Sequence, residues 1–570
     1  MKYLNYKSEY DKNPVIQITK NNGDIDQGKL EIIKKLSDIQ SGILVFETYP
    51  GVDLTVLKNE ILEALHGHIV NIEDYTKTES EIDLMLSRNL TEDRVFGLVS
   101  HHRIEDFYPT EKISELNIAL KQMKGLVIVY GFGASQIDYD HLIYVGLTRW
   151  EIQLRYRNGL SNFKKNNPKE DILKKYKRGY FIEWRVADQI KENTIHEMIY
   201  YIDYTNIKKP GMISKNSYDQ ALDITTNKPF RMVPYFDPGV WGGHWMKEVC
   251  GLNPLKKNYA WSFDGVPEEN SIALGFGDRS IEIPAQDLVQ FRPVNLMGNR
   301  VHARFGKHFP IRFDLLDTMG GGNLSLQVHP LTEYIFEEFG MPFTQDESYY
   351  ILDAEPDGTV YLGFKENIDQ KSFRDDLLKA EKGMISFDAE KYVNLFSAKK
   401  HDHYLIPAGT VHCSGKNTMV LEISATSYIF TFKMWDWNRL GMDGLPRPVH
   451  LKHAFKSVQY ERDTTYVKDQ LINHIVKINE HEEITGLHER EFLETRRFTF
   501  KDDLIIKTLG SVNMANLVGG KMMEIQSMQN EFEPYIIHYA ETFVIPATIN
   551  EFKVKCMDEN GCILIKAHVR

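Results

Sequence analysis

Along the first third of the chain, short apolar runs alternate with stretches of helical periodicity. The runs fall at residues 43–46, 95–99, 126–130 and 142–147. Between the first two, Leu57, Ile61, Leu62 and Leu65 recur at the spacing of one helix face. Strands alternating with amphipathic helices predict an α/β domain on a parallel sheet. A Lys- and Asn-rich segment, 164–178, reads as a solvated helix or loop at its edge, and residues 180–204 as the element that closes it.

From about Pro229 the helical period fades. Short apolar runs separated by Gly, Pro, Asn and Asp take over, with a helical insert at 372–382. That is the pattern of an antiparallel barrel or jelly roll. A helix is expected at 450–459, a charged connector at 479–497 and short strands again over 498–570. A chain of 570 residues exceeds one hydrophobic core. The pattern predicts a multidomain protein: an α/β domain at 1–215, an all-β barrel with helical inserts at 216–460 and a second barrel at 461–570.

Composition narrows the partners. The net charge of −12 disfavours nucleic acid, yet leaves room for a small anionic substrate where a few Lys or Arg converge. No run of eighteen apolar residues occurs and residues 1–13 are polar, so neither a membrane span nor a secretory signal is expected. Cys250, Cys413, Cys556 and Cys562 form no CxxC pair, which fits a reducing cytoplasm rather than a disulfide framework.

The chemistry concentrates in three strings. Gln327 and His329 stand two apart in Gln-Val-His-Pro, so on a strand both point to one face. Glu347 precedes the run Tyr-Tyr-Ile-Leu, and His412 ends Pro-Ala-Gly-Thr-Val-His. An amide oxygen, two imidazoles and a carboxylate make a mixed O/N set suited to zinc, with positions left for water or substrate.

These strings are similar to those of type I mannose-6-phosphate isomerases, which are built on a cupin barrel. The similarity extends through Val-Trp-Gly-Gly (240–243), Pro-Ile-Arg-Phe (310–313), Tyr-Leu-Gly-Phe (361–364), Leu-Glu-Ile (421–423), Trp-Asp-Trp-Asn-Arg (435–439) and Leu-Pro-Arg-Pro-Val-His (445–450). The resemblance implies one zinc ion per chain on Gln327, His329, Glu347 and His412. It also implies interconversion of mannose 6-phosphate and fructose 6-phosphate through an enediol. A cation stabilises the charge that develops on oxygen while a carboxylate or imidazole carries the proton.

Glu422, ten residues past His412, matches a family active-site glutamate that carries the proton or orients a hydroxyl. Ser325 matches a position that approaches the substrate phosphate. Two positions depart from the family: Gln345 where it has Lys, and Lys433 where it has Arg. Arg439, Lys365 or Arg447 are the cations available to compensate. A non-catalytic sugar-phosphate sensor that retains the metal is the rival reading.

The first domain resembles P-loop kinases of the uridine kinase type. The likeness lies in residues 42–55, Asp-Phe-Tyr (106–108), the run 127–131 and the run 141–145, with Arg149, Arg155 and Arg157 where such kinases place a basic lid helix. A phosphate loop needs several glycines and a Lys. Here Gly51 alone remains and Asp53 stands near the missing Lys, so a degenerate domain without ATP binding is expected. In the tail, Phe-Val-Ile-Pro-Ala-Thr (543–548) parallels residues 405–410, but Asn550 replaces the metal His and no Gln-x-His precedes it. The resemblance implies a metal-free barrel used for packing or for homo-oligomer contact.

Overall fold

The computed structural model describes residues 2–426, 428, 430–442, 444, 446–486, 488 and 491–570; Leu445 of the family strings lies outside the described residues. The chain divides into two compact units. One comprises Val15–Thr225 and Ser271–Phe291, the other Met1–Pro14, Thr226–Asn270 and Arg292–Arg570.

The first unit is α/β. Five parallel strands, Gly42–Thr48, His68–Asn71, Leu126–Gly131, His141–Gly146 and Met198–Asp203, form a sheet in the spatial order second, third, first, fourth, fifth. Gly211–Ser214 and Asp26–Gln27 extend it antiparallel beyond the fifth strand. The central strands are apolar on both faces, as a sheet covered by helices requires. Val15–Thr19, Ser271–Phe276 and Arg279–Pro284 form a separate small sheet. The segment Ser271–Phe291 is anchored by Asp287, whose carboxylate accepts from Lys191 Nζ at 2.6 Å and Tyr218 Oη at 2.7 Å.

Two stretches of this unit differ from the sequence pattern. Residues 95–99 form no strand; they lie in a loop tied to the Asn89 carbonyl through Leu98 N and to Phe181 O through Ser100 N. The second strand is instead His68–Asn71, a half-exposed edge whose polar ends hide its period. The 164–178 segment is solvated only in part: Asn166, Pro168–Glu170 and Lys174 are exposed, but the helix Ile172–Arg178 is largely drawn in. Lys175, Lys177 and Arg178 are buried, with Arg178 Nε on Glu183 at 2.9 Å and its Nη1 on Asp83 at 2.9 Å. Paired cations enter a core more readily than composition indicates.

The second unit is predominantly β. A six-stranded sheet runs His403–Ile406, Glu347–Ala354, Thr418–Ser424, Arg312–Asp317, Trp261–Gly265, Tyr235–Asp237. Across from it lies a five-stranded sheet, Val393–Ser397, Thr359–Phe364, His412–Ser414, Leu326–Val328, Phe432–Trp435. Helices Gln370–Glu381 and Leu451–Ser457 are inserts, close to the expected positions. A second pair of antiparallel sheets, of six and four strands, is built from residues 476–569. The expected connector at 479–497 contributes to it, since Glu482–Ile484 pairs with Leu493–Phe500. The core of this second pair is filled by Phe498, Phe500, Ile525, Phe543, Phe552 and Leu564 with other apolar side chains. Asn550 is exposed there. Among the described residues no helix is long and apolar enough to cross a membrane.

Candidate metal centre

His329, Glu347 and His412 converge between the two sheets of the first barrel. All three are fully buried, and one ligand atom from each lies within 4.8 Å of the others. His329 Nε2 is 2.5 Å and His412 Nε2 is 3.0 Å from the same carboxylate oxygen of Glu347. Gln327 pairs with His412 across the strands, and its Nε2 stands 3.2 Å from His412 Nε2. At an amide, oxygen and nitrogen exchange places by a flip, so Gln327 offers an oxygen to the same point.

The imidazoles are oriented by the backbone. His329 Nδ1 lies 2.9 Å from Phe430 O and His412 Nδ1 lies 2.9 Å from Thr410 O. A ring that donates Nδ1–H to a carbonyl keeps its Nε2 lone pair for a metal. Two such lone pairs aimed at one carboxylate oxygen are mutually repulsive unless a cation stands between them. Glu347 itself faces a second carboxyl, that of Glu422, so negative charge gathers at this point. The donor set fits a divalent ion.

The local sequence explains the placement. The ligand strand ends at Val328, with His329 at its exit and Pro330 directly after it. In Pro-Ala-Gly-Thr, Thr410 Oγ1 donates to Pro407 O at 2.6 Å and Gly409 N donates to His329 O at 3.0 Å, so the turn that delivers one imidazole is tied to the residue bearing the other. Gly409 has φ +90°, and a Cβ there would lie 2.8 Å from Ser457 O. Only glycine adopts that conformation in that space.

Glu422 lies on the strand beside Glu347 and pairs with Asp314 and Tyr349. Burial pushes its carboxyl well above the usual range, and the nearby Glu347 and Asp314 carboxylates add to the shift. Gln345 Nε2 approaches Glu422 Oε1 at 3.4 Å, and its Oε1 accepts from Phe430 N at 3.0 Å. Phe430 thus bridges Gln345 and His329 through its peptide groups. Lys433 is half-buried and pairs with Gln327 in the register, which sets it beside the ligand strand.

Ser325 is buried two residues before Gln327 and accepts from Arg447 Nη1 at 3.3 Å. Asp436 binds Arg447 at 2.7 Å and Arg439 at 2.5 Å, gathering both guanidinium groups near Ser325. Lys365 sits exposed past the end of its strand. Arg312 and Asp314, which face the barrel interior, were not singled out as site residues by the sequence. The available signal was a charged pair two apart inside the otherwise apolar string 309–316.

In the α/β unit, Gly51 follows the central strand Gly42–Thr48 and Asp53 caps the helix Leu54–Leu57. Arg155 donates to Gly51 O at 2.9 Å and to Tyr204 O at 2.9 Å; Arg149 pairs with Asp188 at 2.6 Å. Both guanidinium groups are committed to the fold. Arg157 lies over the Trp150 ring. The cavity beside Gly51, about 120 Å³, is lined by Glu73 and Glu183 as well as by Lys164.

Residues 28–227 match the family described as "Domain of unknown function (DUF8485)". Mannose-6-phosphate isomerase ManA of Bacillus subtilis is 24% identical over 235 residues, 41% of this chain and 69% of the relative. YvyI of the same organism, to which that activity is provisionally attached by name, is 22% identical over 350 residues, 60% of this chain and 100% of the relative. Over about 60% of its length the chain is homologous to mannose-6-phosphate isomerases. The solved mannose 6-phosphate isomerase from Bacillus subtilis aligns at a TM-score of 0.47 with 19% identity, covering 60% of this chain and 99% of its own. A mannose 6-phosphate isomerase bound with zinc and yttrium aligns at 0.46 with 14% identity, covering 60% of this chain and 99% of its own.

Proposed function

We propose that the chain is a zinc-dependent ketol isomerase interconverting mannose 6-phosphate and fructose 6-phosphate. The convergence of His329 Nε2, His412 Nε2 and the Glu347 carboxylate on one point carries the reading. Gln327 completes the ligand set. An ion held there polarises the sugar oxygens and stabilises charge developing on them.

Glu422 is the group assigned to the proton that moves between C1 and C2. A carboxyl held high by burial is a stronger base once ionised than an exposed one, and its protonated form is an effective donor. Ser325, Arg447 and Arg439 form the corner that receives the phosphate, where a guanidinium fork matches the dianion. Lys433, beside Gln327, adds a point charge nearer the reacting end.

One observation favours the sensor reading instead. Gln345 stands where the family has a Lys, and its neutral amide is engaged with Phe430 N. A coupled isomerase assay on the zinc-loaded protein, run across several hexose 6-phosphates, separates the two. Turnover supports the enzyme; saturable binding without turnover supports the sensor; neither overturns both.

The α/β unit, on this reading, is a relative of P-loop kinases kept for a role other than phosphoryl transfer. The parallel sheet, the single Gly51 and the carboxylate cap at Asp53 support it.

A further inference from the structure

Two rows of side chains cross the inner face of the six-stranded sheet. The register places Arg312, Ser424 and Glu347 in one row and Asp314, Glu422 and Tyr349 in the next. Alternation along a strand puts all six on one face, the face that carries the metal ligand Glu347. Arg312 is only 1% exposed. Its Nε donates to Asp314 Oδ2 at 2.6 Å, and its guanidinium lies over the Phe263 ring at 5.2 Å. These two contacts fix the plane of the group.

Neither Nη1 nor Nη2 of Arg312 meets an acceptor among the described residues. Asp314 Oδ1, in the second row, is likewise without a hydrogen-bond partner there, whereas Glu347 faces the Glu422 carboxyl and Tyr349 the Ser414 backbone. Burying polar groups unpaired is costly, so a cluster of them marks a place where partners come from elsewhere. The phosphate corner does not explain Arg312. Ser325 adjoins the strand Leu326–Val328 of the opposite sheet, and Arg447 is bound to Asp436.

We infer that Arg312 presents its two Nη groups to the adjacent oxygens at C1 and C2 of an open-chain sugar phosphate. A planar fork with two free N–H edges matches two neighbouring oxygens, and it stabilises them most as they gain charge. The ligand class is therefore an open-chain polyol or carbonyl sugar phosphate oxygenated at both carbons. The sugar-phosphate part of this statement rests on the isomerase reading; the pairing of Arg312 with two vicinal oxygens is tested without turnover.

The test is calorimetric titration of the zinc-loaded full chain with two unreactive ligands. One is mannitol 6-phosphate; the other is its analogue lacking the hydroxyls at C1 and C2. Arg312→Met is expected to weaken the first about tenfold to a hundredfold, the range for hydrogen bonds to a charged group, and the second less than about twofold. Zinc content and circular dichroism check that the variant is folded. Should Arg312→Met not fold, Arg312→Lys carries the same test with a smaller loss, still confined to the first ligand. Equal weakening of both ligands, no weakening of either, or a wild type that binds neither overturns the inference. Absence of turnover in a wild type that shows the selective loss counts against the isomerase reading alone.

Discussion

The carboxylate of Asp53 accepts the backbone N–H of Val56 at 3.0 Å and that of Thr55 at 3.1 Å, at the start of the helix that follows the central strand of the α/β unit. In phosphate-binding folds of this layout the free N–H groups of that turn and a nearby cation hold the anion. Here a side-chain anion already satisfies them. Arg155, a candidate cation, is spent on the Gly51 carbonyl.

The α/β unit is accordingly expected neither to hydrolyse ATP nor to transfer its phosphate to sugars or nucleosides. Incubation with labelled ATP and Mg²⁺ checks this. ATP-dependent phosphorylation that is lost on substituting residues around Gly51 would sink the degenerate reading. Asp53→Ala should also destabilise the helix start by about 1 kcal/mol, the usual effect of losing an N-cap.

The metal site makes the second prediction. The full chain should bind one zinc ion, and His329→Ala combined with His412→Ala should remove it. Binding needs both imidazoles neutral and Glu347 ionised, so protons compete with the ion and zinc is released as pH falls. Elemental analysis after dialysis near neutral pH and in mild acid reads both effects. Retention of a full complement by the double variant would place the metal elsewhere.

Much of this centre was legible in the chain. Gln327 and His329 two apart, and Pro-Ala-Gly-Thr leading to His412, encode the same-face strand and the glycine turn directly. The α/β layout was readable from apolar runs such as Ile128 and Ile143, because central parallel strands are apolar on both faces. The edge strand His68–Asn71 was not, since its exposed polar ends leave no period. Residues 95–99 carry the composition of a strand but spend their hydrogen bonds on Asn89 and Asp93. Arg312 was hidden for another reason. What sets it apart is its unpaired Nη groups, and pairing is a tertiary property.

The third prediction concerns pH. Glu47, on the central strand and 1% exposed, is pushed up to about 7 by burial despite accepting from Gly133 N and Ser135 N. Asp203, on the fifth parallel strand, is pushed up to about 7 by the same cause. A carboxyl whose folded value exceeds its unfolded value binds more protons in the native state. Stability therefore falls as pH rises through the window between the unfolded value and about 7, and levels off above it. Hydrogen-exchange protection of Gly42–Thr48, corrected for the intrinsic pH dependence, should drop by roughly 1–2 kcal/mol between mildly acidic and mildly alkaline buffer. Unchanged or greater protection in alkali would show that Glu47 stays ionised in the folded protein.

The last prediction separates the two cationic regions of the barrel. Lys433 pairs with the metal-ligand strand at Gln327, whereas Arg447 is joined to Ser325 and Asp436. A charge near the reacting carbons acts mainly in the transition state; one on the phosphate acts equally in ground and transition states. Lys433→Ala should lower kcat on the order of a hundredfold with zinc still bound, the usual scale for losing one electrostatic contact to developing charge. Lys433→Arg should raise kcat, more so with Gln345→Lys, because the first supplies a bidentate fork and the second a positive charge beside Glu422. Arg447→Ala should instead raise KM with a smaller change in kcat. Steady-state kinetics on mannose 6-phosphate, with zinc content measured on each variant, gives both parameters. If Lys433→Ala matches wild type, the charge beside Gln327 is not used in the reaction, and Arg439, held by Asp436, becomes the cation to test next.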